Sequence, residues 1–258
     1  MPNSNSRRNI RFLQWNCRSI VPKKSELLLL IEERSPHIIA LNETWLTASQ
    51  SFVLPGYNII RADRDDGYGG VLLAIISSIE YYAVNITSVY ECVCVNITLQ
   101  NERMNVVCMY VPPNCRLNSG DVGGLFDSIH NPKLILGDFN AHGALWGQGP
   151  EDYRGRTLAK AIEDCNLVCL NNGDVTRIAC PPARSSAVDV AVCSDDIALK
   201  FNWCTTDNPA GSDHLPIILH FNHLISNTFT YIPNIDLTKY ISWEQYTLRV
   251  DEGLNGVV

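Results

Sequence analysis

The sequence has no run of apolar residues near the ~20 that a membrane-spanning helix needs, and no membrane partner is expected. Its first residues, MPNSNSRRNIRF, carry charge but are followed by no apolar stretch and no small-residue cleavage site, so no secretory signal is read. It has no CxxC pair among its 10 cysteines; the nearest two, Cys92 and Cys94, flank one residue of an alternating pattern. In a chain of this length that reads as reduced core thiols, not a disulfide framework or a zinc site. The Asn-Ile-Thr triplets at Asn85 and Asn96 then read as strand residues, not glycosylation sites. A basic excess is missing too. Lys+Arg number 20 against 27 Asp+Glu, a net charge of −7, which argues against a passive nucleic-acid binder. It leaves room for an enzyme that meets nucleic acid through a metal, because such sites are built of carboxylates and the ion reverses the local field. No phosphate-cradling P-loop and no G-x-S-x-G elbow is present, which removes nucleotide-driven phosphoryl transfer and serine hydrolysis.

What is present is an ordinary globular composition, 46% hydrophobic and 18% charged over 258 residues, enough for one large domain with or without a tail. Short β-branched runs recur between turn residues: IRFLQWN, HIIALNE, GGVLLAII, ECVCVNITL, MNVVCMYV, KLILGDF, LVCLNN, AVDVAV and LPIILHF all predict strands. KKSELLLLIEER and RGRTLAKAIEDCN predict helices, with DVGGLFDSI a weaker one. Neighbouring strands without a helix between them fit poorly with a simple alternating parallel sheet. Two mixed sheets packed together, with helices outside, fit better. The predicted class is α/β (α+β). After Phe221 the text turns polar with isolated aromatics, so residues 1–222 are read as the compact domain and 223–258 as an extension.

Several apolar runs end in a side chain able to bind a metal or a phosphate. Asn16 follows FLQW, Glu43 follows IIALN, Tyr110 follows NVVCM, and Asp138 and Asn140 follow LILG. Asp189 sits in SSAVDVAV, and Asp213-His214 precede LPIILHF. An Asp or Asn at a strand end is usually a turn former, so the pattern carries weight only if these ends converge. A calcium-loop match in the GDFN turn fails, because His142 stands at its fifth position and Gly149 replaces its bidentate glutamate. Carboxylates and amides without a cysteine cluster suit a hard cation such as Mg²⁺ or Mn²⁺. With a histidine oriented by a carboxylate, they suit cleavage of a phosphoester by activated water.

In order and kind, LQWNCRSI, HIIALNETWL, GGVLLAI, YVPPN, LILGDFNAHGALWG, RGRTLAKAIEDCNLVCLNNGDVTR, SSAVDVAVCS and GSDHLPI resemble the endonuclease/exonuclease/phosphatase superfamily. More narrowly they resemble the apurinic-type endonuclease domain of Jockey-like non-LTR retrotransposons, over about residues 10–221. The resemblance implies a four-layer sandwich of two mixed β-sheets flanked by helices, acting as an Mg²⁺-dependent DNA endonuclease (Mn²⁺ as a substitute). It implies Glu43 as the principal metal ligand, helped by Asn16 and Asp213. Asp138 would orient or deprotonate the attacking water, with the identity of the base left open, and Asn140 would position water and phosphate. Tyr110 would donate to the phosphate, and His214, held by Asp189, would stabilise the transition state. Thr176 and Ser212 match hydroxyls kept near the phosphate. The product would be a nick with a 3′-hydroxyl, extended by a reverse transcriptase on element RNA, inside the cell and at nuclear DNA. NIDLTKYISWEQYTLRV resembles the start of a connection to that polymerase, and the stop at DEGLNGVV reads as a truncated copy. A catalytically silent remnant, an apurinic-site nuclease or a lipid phosphohydrolase of the same superfamily are the alternatives.

Overall fold

The computed structural model describes residues 9–99 and 102–222. The extension read over 223–258 lies outside the described residues. Every apolar run named above contains a strand, and they assemble into two mixed six-stranded sheets. The first sheet is built on β1 (Ile10–Asn16), which runs parallel to β2 (Ile38–Asn42) across the intervening helix α1 (Lys24–Arg34). β3 (Tyr57–Ala62) and β4 (Val71–Ile76) extend it beyond β2.

The second sheet opens with the hairpins β5 (Glu80–Val84), β6 (Glu91–Leu99) and β7 (Glu102–Tyr110). Helix α2 (Ser119–Ser128) then carries the chain to β8 (Lys133–Asp138), parallel to β7. Helix α3 (Tyr153–Asp164) precedes β9 (Leu167–Cys169), and β10 (Asp189–Ser194) lies antiparallel between β8 and β9. A short α4 (Asp195–Ala198) leads back to the first sheet, which closes with β11 (Phe201–Thr205) and β12 (Ile217–Phe221) beside β1.

Alternation explains the layering. Phe12, Ile38, Leu73, Val95, Val106, Leu136, Ala191 and Leu219 point inward and form one buried core between the sheets. Leu13, Trp15, Ile39 and Leu41 point the other way and pack under Leu27 and Leu30 of α1. Helices α2 and α3 pack on each other, each burying one apolar stripe. Asn118 and Asp152 cap their N-termini through the side-chain oxygen.

The strands missing from the sequence reading are β3, β5 and β11. The first two carry no fully buried residue, and all three form sheet edges with one side toward solvent, so their text is polar and broken. All ten cysteines are free, but only Cys17, Cys94, Cys108, Cys169 and Cys193 are buried, so the core-thiol reading holds for half of them. Asn96 lies buried in β6, donating to Asn105, whereas Asn85 falls just after β5 and outside any strand. Among the described residues no helix is long and apolar enough to cross a membrane.

Candidate active site

Strand polarity gathers the polar strand ends on one rim. β1 and β2 are parallel, so Asn16 and Asn42 lie in register at their C-terminal ends, with Glu43 next in the chain. β7 and β8 are parallel, so Tyr110 and Asp138 are paired at theirs. β10 runs antiparallel to β8, and its first residue Asp189 pairs with Asp138. β12 runs antiparallel to β1, which puts the preceding Asp213 and His214 on the same rim. Buried amides tie the two sheets together there: Gln14 donates to the Gly137 carbonyl at 3.1 Å and Asn42 to that of Met109 at 2.8 Å.

The predicted site residues form one connected network. Asn16 Nδ2 donates to Glu43 Oε1 at 2.9 Å and to Asp138 Oδ2 at 2.8 Å. Tyr110 donates its hydroxyl to Glu43 Oε1 at 3.0 Å, and Trp45 Nε1 donates to Glu43 Oε2 at 3.2 Å. The Asn140 N–H binds Asp138 Oδ1 at 2.9 Å, and its side chain donates to the Val111 carbonyl at 3.2 Å. His214 Nδ1 lies 2.7 Å from Asp189 Oδ2, and its Nε2 lies 4.0 Å from Asp138 Oδ2. The non-glycine residues Arg18, Ser19, Glu43, Trp45 and Asn140 all have positive φ, a concentration of backbone strain typical of sites that hold side chains against their local preference.

Electrostatics follow from burial. Desolvation and the neighbouring Asp189 push Asp138 up to about 7. Burial opposes a charged imidazole at His214, but Asp189, Asp138 and Asp213 outweigh it and raise the ring to about 9. Tyr110 is held well above its ordinary range by burial and by Glu43. A carboxylate able to take a proton near neutrality therefore sits beside an imidazolium able to donate one.

Asp138, Asp189 and His214 each offer a ligand atom within 4.8 Å of the others. That trio is a poor cation site: all three are buried, and the ring is committed to Asp189. Glu43, partly exposed, fits a hard cation better. Asp213 Oδ1, buried and with no hydrogen-bond partner among the described residues, is a second oxygen donor on that rim.

Three expectations change in detail. Thr176 is fully buried; it donates to Asp189 Oδ2 at 2.6 Å and accepts from the Val188 and Asp189 N–H groups. It cannot touch a phosphate, and it orients Asp189 instead. Ser212 is likewise committed, donating to the Asn16 carbonyl at 2.8 Å and accepting from the His214 N–H. Asn16 turns its NH₂ to the two carboxylates while its Oδ1 accepts the Arg18 N–H at 3.1 Å, so it arranges Glu43 and does not present its oxygen to an ion.

The RGR motif finds its explanation here. Arg154 donates to the carbonyls of Val111, Phe139, Pro113 and Cys115, joining the loop after Tyr110 to the turn after Asp138. Gly155 packs on the same turn, where a Cβ would run into the His142 carbonyl. His142 in turn contacts the α3 cap Asp152 at 2.9 Å. Replacing Gly155 by alanine should cost about 1–3 kcal/mol through overpacking. Thermal unfolding would show this as a midpoint lower by about 2–10 °C. An unchanged midpoint would mean that the helix and turn are not in close contact.

Residues 104–218 match the family model described as endonuclease-reverse transcriptase. The RNA-directed DNA polymerase of the mobile element jockey of Drosophila melanogaster is 26% identical over 209 residues, 79% of this chain and 23% of that protein. The probable RNA-directed DNA polymerase of transposon BS, also from Drosophila melanogaster, is 24% identical over 221 residues, 81% of this chain and 24% of that protein. The chain thus spans about a quarter of the length of these relatives. Among solved structures, the endonuclease domain of TRAS1, a telomere-specific non-LTR retrotransposon, superposes with a TM-score of 0.73 at 21% identity. That match covers 83% of this chain and 99% of that one. The AP endonuclease LMAP of Leishmania major superposes with a TM-score of 0.69 at 14% identity, covering 84% and 88%. With two mixed six-stranded sheets, the chain has the fold of these solved endonucleases, and it is similar to the endonuclease-reverse transcriptase family over residues 104–218 and to the polymerase proteins of jockey-type mobile elements over most of its length.

Proposed function

We propose that the chain is a metal-dependent endonuclease that nicks one DNA strand and leaves a 3′-hydroxyl. The observation that carries this reading is the unbroken series of contacts Tyr110–Glu43–Asn16–Asp138–His214–Asp189, drawn from both sheets onto one rim. A Mg²⁺ or Mn²⁺ ion held at Glu43, with Asp213, would neutralise charge on the scissile phosphate. Asp138, raised toward neutrality, receives the proton of a water whose oxygen bonds to phosphorus as the P–O3′ bond breaks. Asn140 fixes Asp138 through its N–H and positions the water and the phosphate. His214, aimed by Asp189, donates to the phosphoryl oxygens as their charge grows. Tyr110 holds Glu43 and turns its hydroxyl to phosphate when substrate arrives. The departing O3′ takes a proton from solvent water and leaves as the hydroxyl. In a longer element this hydroxyl would prime reverse transcription of element RNA at nuclear DNA.

Supercoiled plasmid should be converted to the open circle with Mg²⁺ and left intact in EDTA, and end mapping should find 3′-hydroxyls. A duplex with an abasic site and a phosphoinositide serve as comparison substrates. Cleavage confined to either would replace this reading by the corresponding phosphohydrolase, and no cleavage of any substrate would identify a silent remnant.

A further inference from the structure

Tyr110, Asn140 and His214 serve the scissile phosphate, and the burial of Thr176 and the internal commitment of Ser212 leave open which side chains meet the phosphates beside it. The rim carries Glu43, Asp138, Asp189 and Asp213, and the whole chain is acidic, so beyond the reach of a bound ion a polyanion is favoured where cationic side chains stand beside the site. Arg154 is spent on backbone carbonyls, and Lys23 donates to the carbonyls of Arg18 and Ser19. Among the described residues, two further guanidiniums reach the rim at Asp213. Arg18 Nη1 lies 3.3 Å and Arg177 Nε 3.1 Å from the same oxygen, Asp213 Oδ2, next in the chain to His214.

We propose that Arg18 and Arg177 form a two-arginine cradle for the phosphodiester backbone of nucleic acid beside the scissile bond, an inference that rests on the nuclease reading above. One carboxylate oxygen cannot satisfy two guanidiniums. One positive charge and most of the N–H donors are left over. Their side chains are 55% and 45% exposed, so the donors are reachable, and an ion pair this exposed contributes little to stability by itself. Each guanidinium spends one nitrogen on Asp213 Oδ2, which leaves the rest of its planar donor set for the bidentate contacts with which arginine grips phosphate.

Both backbones are anchored to the site. Arg18 is held at φ +42 with its N–H on Asn16 Oδ1, and the flanking N–H groups of Cys17 and Ser19 bind the carbonyls of Asn42 and Glu43. Arg177 is bridged to Ser186 and to His214, one residue after the Thr176 that orients Asp189. A phosphate seated there is therefore located relative to Glu43 and His214 by short, rigid connections.

The test is fluorescence polarisation of the full chain with a short labelled DNA duplex, in Ca²⁺ without Mg²⁺, over a salt series. Each of Arg18→Ala and Arg177→Ala should reduce the slope of log affinity against log salt by about 0.9. The lysine variants should keep the slope, and the glutamine variants carry the test if the alanine forms melt early. Alanine and glutamine variants that bind with the wild-type slope, in a chain that still nicks plasmid, would overturn the cradle alone. A wild-type chain that neither binds duplex nor nicks it would overturn the nuclease reading with it.

Discussion

Replacing His214 by alanine should reduce the rate of plasmid nicking by about 10²- to 10³-fold, the range expected for losing a donor aimed at charge that develops in the transition state. The ring is 4% exposed and bridges Asp189 to Asp138, and the carboxylates around it keep it charged at neutral pH. Alanine removes that charge and leaves two buried carboxylates without their partner, a change that costs about 3–5 kcal/mol in comparable buried pairs. The variant should therefore melt earlier while keeping its far-UV circular dichroism at low temperature, because the sheets on either side are held by Gln14, Asn42 and the intersheet core. The decisive measurement is nicking below the melting range. A variant that still nicks at the wild-type rate there removes His214 from the chemistry.

Glu43→Gln separates the cation from the scaffold. Glutamine keeps the shape and an amide oxygen that could accept from Asn16 or Tyr110, so little unfolding is expected. It removes the negative charge that a hard divalent ion requires. The Mg²⁺ titration of nicking should shift by more than the roughly 10- to 100-fold typical of losing an outer-sphere partner of a ligand. With Asp213 Oδ2 engaged by two arginines, a single Oδ1 on that residue is a weak substitute. An unchanged titration would reject Glu43 as a ligand and return attention to the buried group Asp138, Asp189 and His214.

The central strands were legible because both their faces are buried. IIALN, VLLAII and KLILGD read as almost continuous apolar text, and in the first and last a polar residue, Asn42 or Asp138, marks the C-terminal end. The edge strands β3, β5 and β11 were not, since half-solvated strands carry polar residues that look like loop. Among site residues, an acid, amide or imidazole at the end of such a run can be recognised from text alone. Thr176 could be recognised only as a hydroxyl, and whether it faces a phosphate or Asp189 depends on the conformation of a loop. Nothing in the sequence separates the roles of Arg18, Arg154 and Arg177, because a guanidinium's role is set by what lies at the end of a long flexible side chain.

The sequence by itself determined which segments become the central strands and which chemical groups stand at their ends, because apolar periodicity is a local property of neighbouring residues. Only the tertiary structure decided that those ends meet. Asn16 and Asp138 touch although 122 positions separate them, and this follows from strand order and direction in two sheets stacked face to face. Parallel pairs bring their C-terminal ends to the rim and antiparallel partners their N-terminal ends, a choice made by long-range packing that no local window contains.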